Sequence, residues 1–381
     1  MKENQKSRRW VQVFAGLLIA GLWLATPASS VMAQQNPVTL SKSIKIQELL
    51  REKNYDAANE IALELFESDP EIFSLLIKLN KLKGTPEQIP GILQSALKKC
   101  QQLSTQDEIL SDGKQWSKVH RGIAQTMILL KRFDDLETTL QKSIEETEEQ
   151  GIGIARRSFL KRLLGQAYLT WGSEIIGGKS PGFMPLPENV SLKALDIYGK
   201  AYEIHDESRL KASLLLTEFG FSKNEQVAKK AKSIYDPEKD NSPSPAVLNH
   251  LGTQAMVGRQ YDKAVTYYER ARARGADNPV ILNNLAYAYL FLDEPNPKRA
   301  LQLCDQVLKM PNSQKQNTSN YLHTKATALK QLKRFKEAIT SFELSLETRL
   351  DHPDTLNSVI ECYQELDLDP PEKYLNRLKK N

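Results

Sequence analysis

The chain has 381 residues, of which 52 are Lys or Arg, 47 are Asp or Glu, and 40% are hydrophobic. This balance lacks the basic excess with which nucleic-acid-binding proteins displace counterions from phosphates, so a nucleic-acid partner is excluded. Three cysteines are too few for a disulfide framework, and we expect each to be a small buried hydrophobic residue.

Residues 1–33 have the three parts of a secretory signal peptide. Four basic residues precede an apolar run over 11–25, and Val31-Met32-Ala33 comes directly before Gln34. The run of about 15 apolar residues is shorter than the roughly 20 that a membrane-spanning helix needs. We therefore expect cleavage before Gln34, export to the periplasm and no integral membrane span in the mature chain. An uncleaved N-terminal membrane anchor is the alternative.

Residues 34–240 show helical spacing of apolar residues and no alternating strand pattern. Three segments predict the second helices of divergent helix pairs: Asn54-Tyr55-x2-Ala58, Arg132-Phe133-x2-Leu136, and Ala194-x3-Tyr198, which we join to Leu164-Gly165-x2-Tyr168. The stretch 236–244 is rich in Pro, Ser, Asp and Asn, which indicates a break between two helical segments.

Residues 245–381 repeat one pattern four times. First helices are marked by Leu248-x2-Leu251-Gly252, Leu282-x2-Leu285-Ala286, Leu322-x2-Lys325-Ala326 and Leu356-x2-Val359-Ile360. Three of them precede a second helix marked by Ala264-x3-Tyr268, Ala300-x3-Cys304 or Ala338-x3-Phe342. The predicted starts at Pro245, Pro279, Ser319 and Pro353 are 34, 40 and 34 residues apart, and 312–316 supplies part of the longer spacing. The charged, amphipathic segment 372–380 suits a final capping helix.

This pattern resembles the tetratricopeptide repeat. The resemblance implies an all-α fold, an α-solenoid of antiparallel helix pairs wound into a right-handed superhelix. It also implies that a partner protein or peptide segment binds in the concave groove. Small residues are needed where paired helices cross closely, so we expect burial of Gly252, Ala264, Ala286, Ala300, Ala326 and Ala338.

In the family that the pattern resembles, the first helix of each pair lines the groove. The fifth residue of each repeat is Asn249, Asn283, His323 or Asn357, with Asn284 beside the second. Because an Asn amide both donates and accepts, such a column can hydrogen-bond the main chain of an extended peptide. Tyr287 and Phe291 are expected to add apolar contact area. The alternative is that Asn is merely tolerated on a polar inner face.

Little in the sequence indicates a catalytic, phosphate-binding or metal site. Gly178-Lys179-Ser180 resembles part of a phosphate-binding loop, but the pattern requires Gly where Ser173 stands, and a helix precedes it instead of a strand. The five histidines have no metal-ligand spacing. We therefore expect no cofactor and a non-enzymatic scaffold or adaptor of the cell envelope. The alternatives are a permanent or self-associating structural component of an envelope complex and a glycan-binding solenoid.

Overall fold

The computed structural model describes residues 37–68, 73–149, 153–179, 181, 186–310, 318–348 and 353–380. Every regular element in these ranges is helical. The chain divides between Asp236 and Pro237 into two compact units, at the start of the predicted break. The predicted signal peptide, 1–33, and the insertion at 312–316 lie outside the described residues.

The first unit contains eleven described α-helices and a short 3-10 turn at Pro86–Gln88. The helices are α1 Pro37–Arg51, α2 Tyr55–Ser68, α3 Phe73–Lys83, α4 Ile89–Leu103, α5 Asp107–Ser111, α6 Gly113–Leu129, α7 Phe133–Glu149, α8 Ile154–Ile175, α9 Glu188–Ile204, α10 Asp206–Gly220 and α11 Glu225–Ile234. The segments predicted as second helices at Asn54-Tyr55 and Arg132-Phe133 are helical: α2 begins at Tyr55 and α7 at Phe133.

The second unit contains eight described helices. They are α12 Pro245–Val257, α13 Tyr261–Ala273, α14 Pro279–Leu290, α15 Pro297–Lys309, α16 Thr318–Gln331, α17 Phe335–Thr348, α18 Pro353–Gln364 and α19 Glu372–Lys380. Three of the predicted starts are correct, and the remaining helix begins one residue before Ser319. Each helix packs against the next in the chain, which makes the unit an α-solenoid of antiparallel pairs.

Polar caps fix where these helices begin. The Ser244 hydroxyl accepts a hydrogen bond from the Val247 amide at 3.3 Å. The Asn278 side chain accepts from the amides of Val280 and Ile281, both at 3.1 Å. A capping side chain followed directly by Pro therefore starts α12 and α14, since Pro lacks the amide that a first turn leaves unpaired.

Small side chains occupy the crossings of the second unit, as predicted. All five alanines of the predicted set are 0% exposed, and Gly252 is buried against the ring of Tyr268. Close helix approach at these points allows larger residues to fill the spaces between pairs. The three cysteines are buried thiols, in agreement with the expected role as small hydrophobic residues.

Four helix pairs share one connecting turn. Its central residue has a positive φ of 56° to 59° and is Lys53, Lys131, Arg259 or Lys333. In the third of these turns the Arg259 amide donates to the Met256 carbonyl at 3.0 Å, and the Gln260 amide donates to the Ala255 carbonyl at 2.8 Å. Equivalent bonds close the other three turns, so the first helix of each pair ends in the same left-handed cap.

The predicted pairing of α8 with α9, the helix that carries Ala194 and Tyr198, is confirmed by the packing of the two helices. Gly172 is the glycine of α8 that packs against the Tyr198 ring. Gly165 approaches Ile204 at the end of α9 and Ser208 of α10. Because α8 is 22 residues long, it has glycines at two levels, and spacing alone does not show which of them meets Tyr198.

The capping helix α19 closes the second unit as predicted. Tyr374 is 2% exposed, and its hydroxyl donates to Glu343 Oε1 at 2.8 Å. The hydroxyl of Tyr363 donates to the same oxygen at 3.2 Å. One carboxylate on α17 therefore holds both α18 and α19. Among the described helices, none is both long and apolar enough to cross a membrane.

Candidate partner-binding groove

Four helices of the second unit form one face. α12 contacts α14, α14 contacts α16, and α16 contacts α18. Equivalent residues of successive first helices therefore lie next to one another. We call the fifth residue of each, Asn249, Asn283, His323 and Asn357, the position-5 column.

The first two residues of the position-5 column have unpartnered side-chain oxygens. Among the described residues, neither Asn249 Oδ1 nor Asn283 Oδ1 has a hydrogen-bond partner, and both atoms are buried. Asn283 is only 9% exposed, whereas the sequence had predicted a side chain open to solvent. The correction has a packing cause, because α14 lies between α12 and α16 and is covered from both sides.

The remaining predicted groove residues have different environments. Burial raises the pKa of the Tyr268 hydroxyl, and the Asn284 side chain lies close enough to offset part of that rise, while the hydrogen bond of that hydroxyl is to Thr253 at 3.2 Å. His323 Nδ1 lies 2.8 Å from the Thr355 hydroxyl, and this bond joins α16 to α18. Asn357 is exposed at the outer end of the column. The structure thus reduces the amide column to two enclosed acceptors and one exposed side chain.

An aromatic cluster lies on α14 and the start of α13. The rings of Tyr287 and Phe291 have centroids 4.5 Å apart, and Tyr261 approaches Phe291 at 5.6 Å. Phe291 is 38% exposed. Tyr261 is missing from the sequence prediction because it belongs to a second helix. Its place directly after the left-handed turn, equivalent to Tyr55 and Phe133, is the signal that could have identified it.

Burial shifts the pKa values of two side chains in this part of the second unit, Tyr287 and His250. It raises the pKa of Tyr287 to about 12, with smaller contributions from Tyr261 and Asp354. Burial also lowers the pKa of His250, the neighbour of Asn249, to about 4. Both side chains are therefore neutral at pH 7. At the other end of the face, Lys330 and Glu361 form an ion pair between α16 and α18.

The arrangement offers hydrogen-bond acceptors beside an aromatic surface. Two amide oxygens on adjacent helices can accept from main-chain N–H groups, and the rings supply apolar contact area.

No family model and no curated protein matches the chain. Among solved structures, it is similar to MamA MSR-1 C2 at 20% identity over 50% of this chain and 93% of that chain, with a TM-score of 0.32. It is similar to the TPR2AB domain of yeast Sti1 in complex with pHSP90 at 15% identity, over 72% and 92%, with a TM-score of 0.27. The APC/C hetero-tetramer Cut9-Hcn1 matches at 15% identity, over 92% and 76%, with a TM-score of 0.37.

These TM-scores are low, so the assignment of the fold rests on the helix pairs themselves, on their small-residue crossings and on their shared turns. The fold is of the tetratricopeptide-repeat type. Pairs joined by the left-handed turn occur in both units, at α1–α2, α6–α7, α12–α13 and α16–α17.

Proposed function

We propose that this protein is a non-enzymatic scaffold that binds an extended segment of another protein on the α12–α14–α16–α18 face. The observation that carries the proposal is the pair of buried, unpartnered oxygens on Asn249 and Asn283. Because both oxygens are shielded from solvent, binding must first shift the side chains that cover them; a main-chain N–H of the bound segment then supplies the donor that each oxygen lacks. The neighbouring aromatic cluster receives apolar side chains of the same segment.

Burying these oxygens without a donor costs free energy. This cost favours a binding role for the two Asn residues over the alternative that Asn has no role at these positions. A buried acceptor without a donor costs about 1 to 3 kcal/mol. Asn284, the next residue along the helix, has no such buried atom without a partner. The two adjacent amides therefore differ in environment, and a bound segment would supply the donor that the Asn283 oxygen lacks.

We also propose that the scaffold acts in the cell envelope, because the only compartment signal in the chain is the predicted signal peptide at 1–33. Its partner in that compartment is another protein, and the mature chain needs no cofactor for the binding described above.

The test uses three amide-to-Leu substitutions that are matched in size. Asn283→Leu should keep or raise the melting temperature, since it removes a buried unpaired oxygen. Asn284→Leu should not raise it, because no buried unpaired oxygen is removed there. Gln302→Leu, on the exposed side of α15, is the control for added apolar surface.

Binding is measured by capturing envelope proteins on the immobilised mature chain and quantifying them by mass spectrometry. Proteins retained by wild type and by Gln302→Leu should be lost with Asn249→Leu/Asn283→Leu. Each lost hydrogen bond should weaken affinity by up to about tenfold. If Asn283→Leu lowers the melting temperature and the captured proteins do not change, the oxygen has a structural role and the proposal is wrong.

A further inference from the structure

Charge is segregated between helices of the first unit. α6 carries three basic residues and no acidic one, and α8 carries four basic residues and a single acidic one, Glu174. α7, which lies between them in sequence, carries seven acidic residues and one basic one. The chain as a whole is nearly balanced in charge, so this separation is a local property of these three helices.

α6 and α8 enclose a cleft, which we call the arginine cleft, with a volume of about 200 Å³. Its lining includes Arg121, Gln125 and Ile128 from α6 and Phe159, Arg162 and Gln166 from α8. Each helix thus contributes one guanidinium and one amide, at similar spacing along the helix. Both arginines are exposed, so the cleft is open to a ligand from solvent.

Phe159 holds both guanidinium groups near its ring. The Cζ atom of Arg162 lies 5.4 Å from the ring centroid, and that of Arg121 lies 5.9 Å from it. Cation–π contacts restrict the planes of the guanidinium groups and leave the N–H donors of Arg162 available. Within the described part of the chain, Arg162 forms no ion pair.

One carboxylate also lines the cleft. Glu207 of α10 belongs to its wall, and its Oε1 lies 3.7 Å from Lys211 Nζ. Because this carboxylate already has a cationic partner, it leaves the positive charge of Arg162 uncompensated.

We propose that the arginine cleft binds an internal acidic segment of a partner protein, with an Asp or Glu side chain seated against Arg162. A carboxylate accepts two parallel N–H bonds from one guanidinium, which is the geometry that planar donors favour. Gln125 and Gln166 offer donors and acceptors to the main chain of the same segment. This is a second site, separate from the groove of the second unit.

A single-stranded nucleic acid fits the same observations less well. Bases bind by stacking on open aromatic faces. In the arginine cleft the aromatic ring available from α8 already has two guanidinium groups near it, which leaves less of the ring for a base.

The experiment measures fluorescence anisotropy of dye-labelled octapeptides against the full mature chain. The peptides are blocked at both ends and contain zero to four Glu residues in a Ser and Ala background. A matched series has Gln in place of Glu, one peptide has a free C-terminal carboxylate as its only anion, and oligothymidylate is the nucleic-acid probe.

We expect affinity to rise with Glu content and the best Glu peptide to bind at least about tenfold tighter than its Gln match, a ratio typical of charge-assisted hydrogen bonds. Arg162→Gln should weaken binding of the best Glu peptide by about the same factor. Arg162→Lys, which keeps the charge without the planar donor pair, should have an intermediate effect. Lys161→Gln is the control, because it makes the same charge change one residue away and outside the lining of the cleft. Circular dichroism verifies that each variant is folded.

Several results would overturn the proposal. If Glu and Gln peptides bound with equal affinity, the cleft would not recognise carboxylates. If Lys161→Gln and Arg162→Gln weakened peptide binding equally, the peptides would be held only by the general positive charge of α8. Tighter binding of oligothymidylate would make the cleft a nucleic-acid site, and a preference for the free C-terminal carboxylate would make it a site for chain ends. If the protein formed salt-sensitive dimers and Arg162→Gln dissociated them, the occupant of the arginine cleft would be a second copy of this chain. Asn283→Leu should leave the ratio of affinities for the Glu and Gln peptides unchanged, because only the arginine cleft distinguishes them, so failure of this site and of the groove are distinguishable.

Discussion

Gly252 and Tyr268 approach each other so closely that a Cβ atom on Gly252 would lie 2.7 Å from Cε1 of the tyrosine ring. The contact between Gly172 and Tyr198 repeats this relationship in the first unit. One glycine against one tyrosine ring therefore sets how closely α12 approaches α13 and how closely α8 approaches α9.

Substitution of these glycines tests the crossings. Gly252→Ala and Gly172→Ala should each lower the free energy of unfolding by about 1 to 3 kcal/mol, because the added methyl group displaces a buried ring. Gly91→Ala is the matched control: it lies in helix α4 with no atom near its Cβ position, so its stability should rise by up to about 1 kcal/mol. Urea denaturation measures all three, and equal effects at the three sites would contradict the assigned crossings.

The left-handed turns give an opposite prediction for glycine. Lys333 has φ at 59°, a conformation that is costly for a residue with a Cβ atom. Lys333→Gly should therefore raise the free energy of unfolding by up to about 1 kcal/mol. Lys142→Gly, in the interior of α7, should lower it by about 1 kcal/mol. A loss of thermal stability in both variants would show that the turn carries no backbone strain.

The protonation of His250 predicts a pH dependence. Its folded pKa of about 4 lies below the value near 6.5 of an unfolded histidine, so below pH 6.5 the unfolded chain binds the extra proton. The contribution of His250 to stability is complete above pH 6.5 and is lost as the pH falls towards 4.

The measurement compares wild type with His250→Gln. Between pH 6.5 and 4 the wild type should lose about 1 to 3 kcal/mol more than the variant. Thermal melts at half-unit pH steps provide the comparison, and parallel curves for the two proteins would rule out burial of a neutral imidazole.

Export is tested at the N-terminus. Expression of the full chain followed by fractionation should place it in the envelope fraction, beginning at Gln34. Edman sequencing or intact mass identifies the first residue. An envelope form that begins at Met1 would favour the membrane anchor instead.

The spacing of the sequence predicts the helices of the second unit well. Pro245, Pro279 and Pro353 begin helices as expected, because Pro in the first helical turn is a local signal and depends on no distant partner. The buried alanines follow from the same spacing, since residues at fixed intervals share one helix face.

The site is less predictable because it depends on neighbours. Spacing places Asn283 and Asn284 on α14, but it does not show that the Asn283 oxygen is buried without a partner. Tyr261 joins the aromatic cluster from a different helix, and the contact with the Tyr198 ring is made by Gly172, which lies outside the predicted motif. Each of these outcomes is decided by a tertiary contact.

The contacts of the second unit have a kinetic consequence. Its principal helix contacts join neighbours or next neighbours along the chain, and a tight turn closes two of its pairs. Little loop entropy is lost before such contacts form, so we expect the unit to fold rapidly, as proteins of low contact order do. A helix pair at the N-terminal end of the unit can then become ordered during synthesis before the pairs behind it have been made.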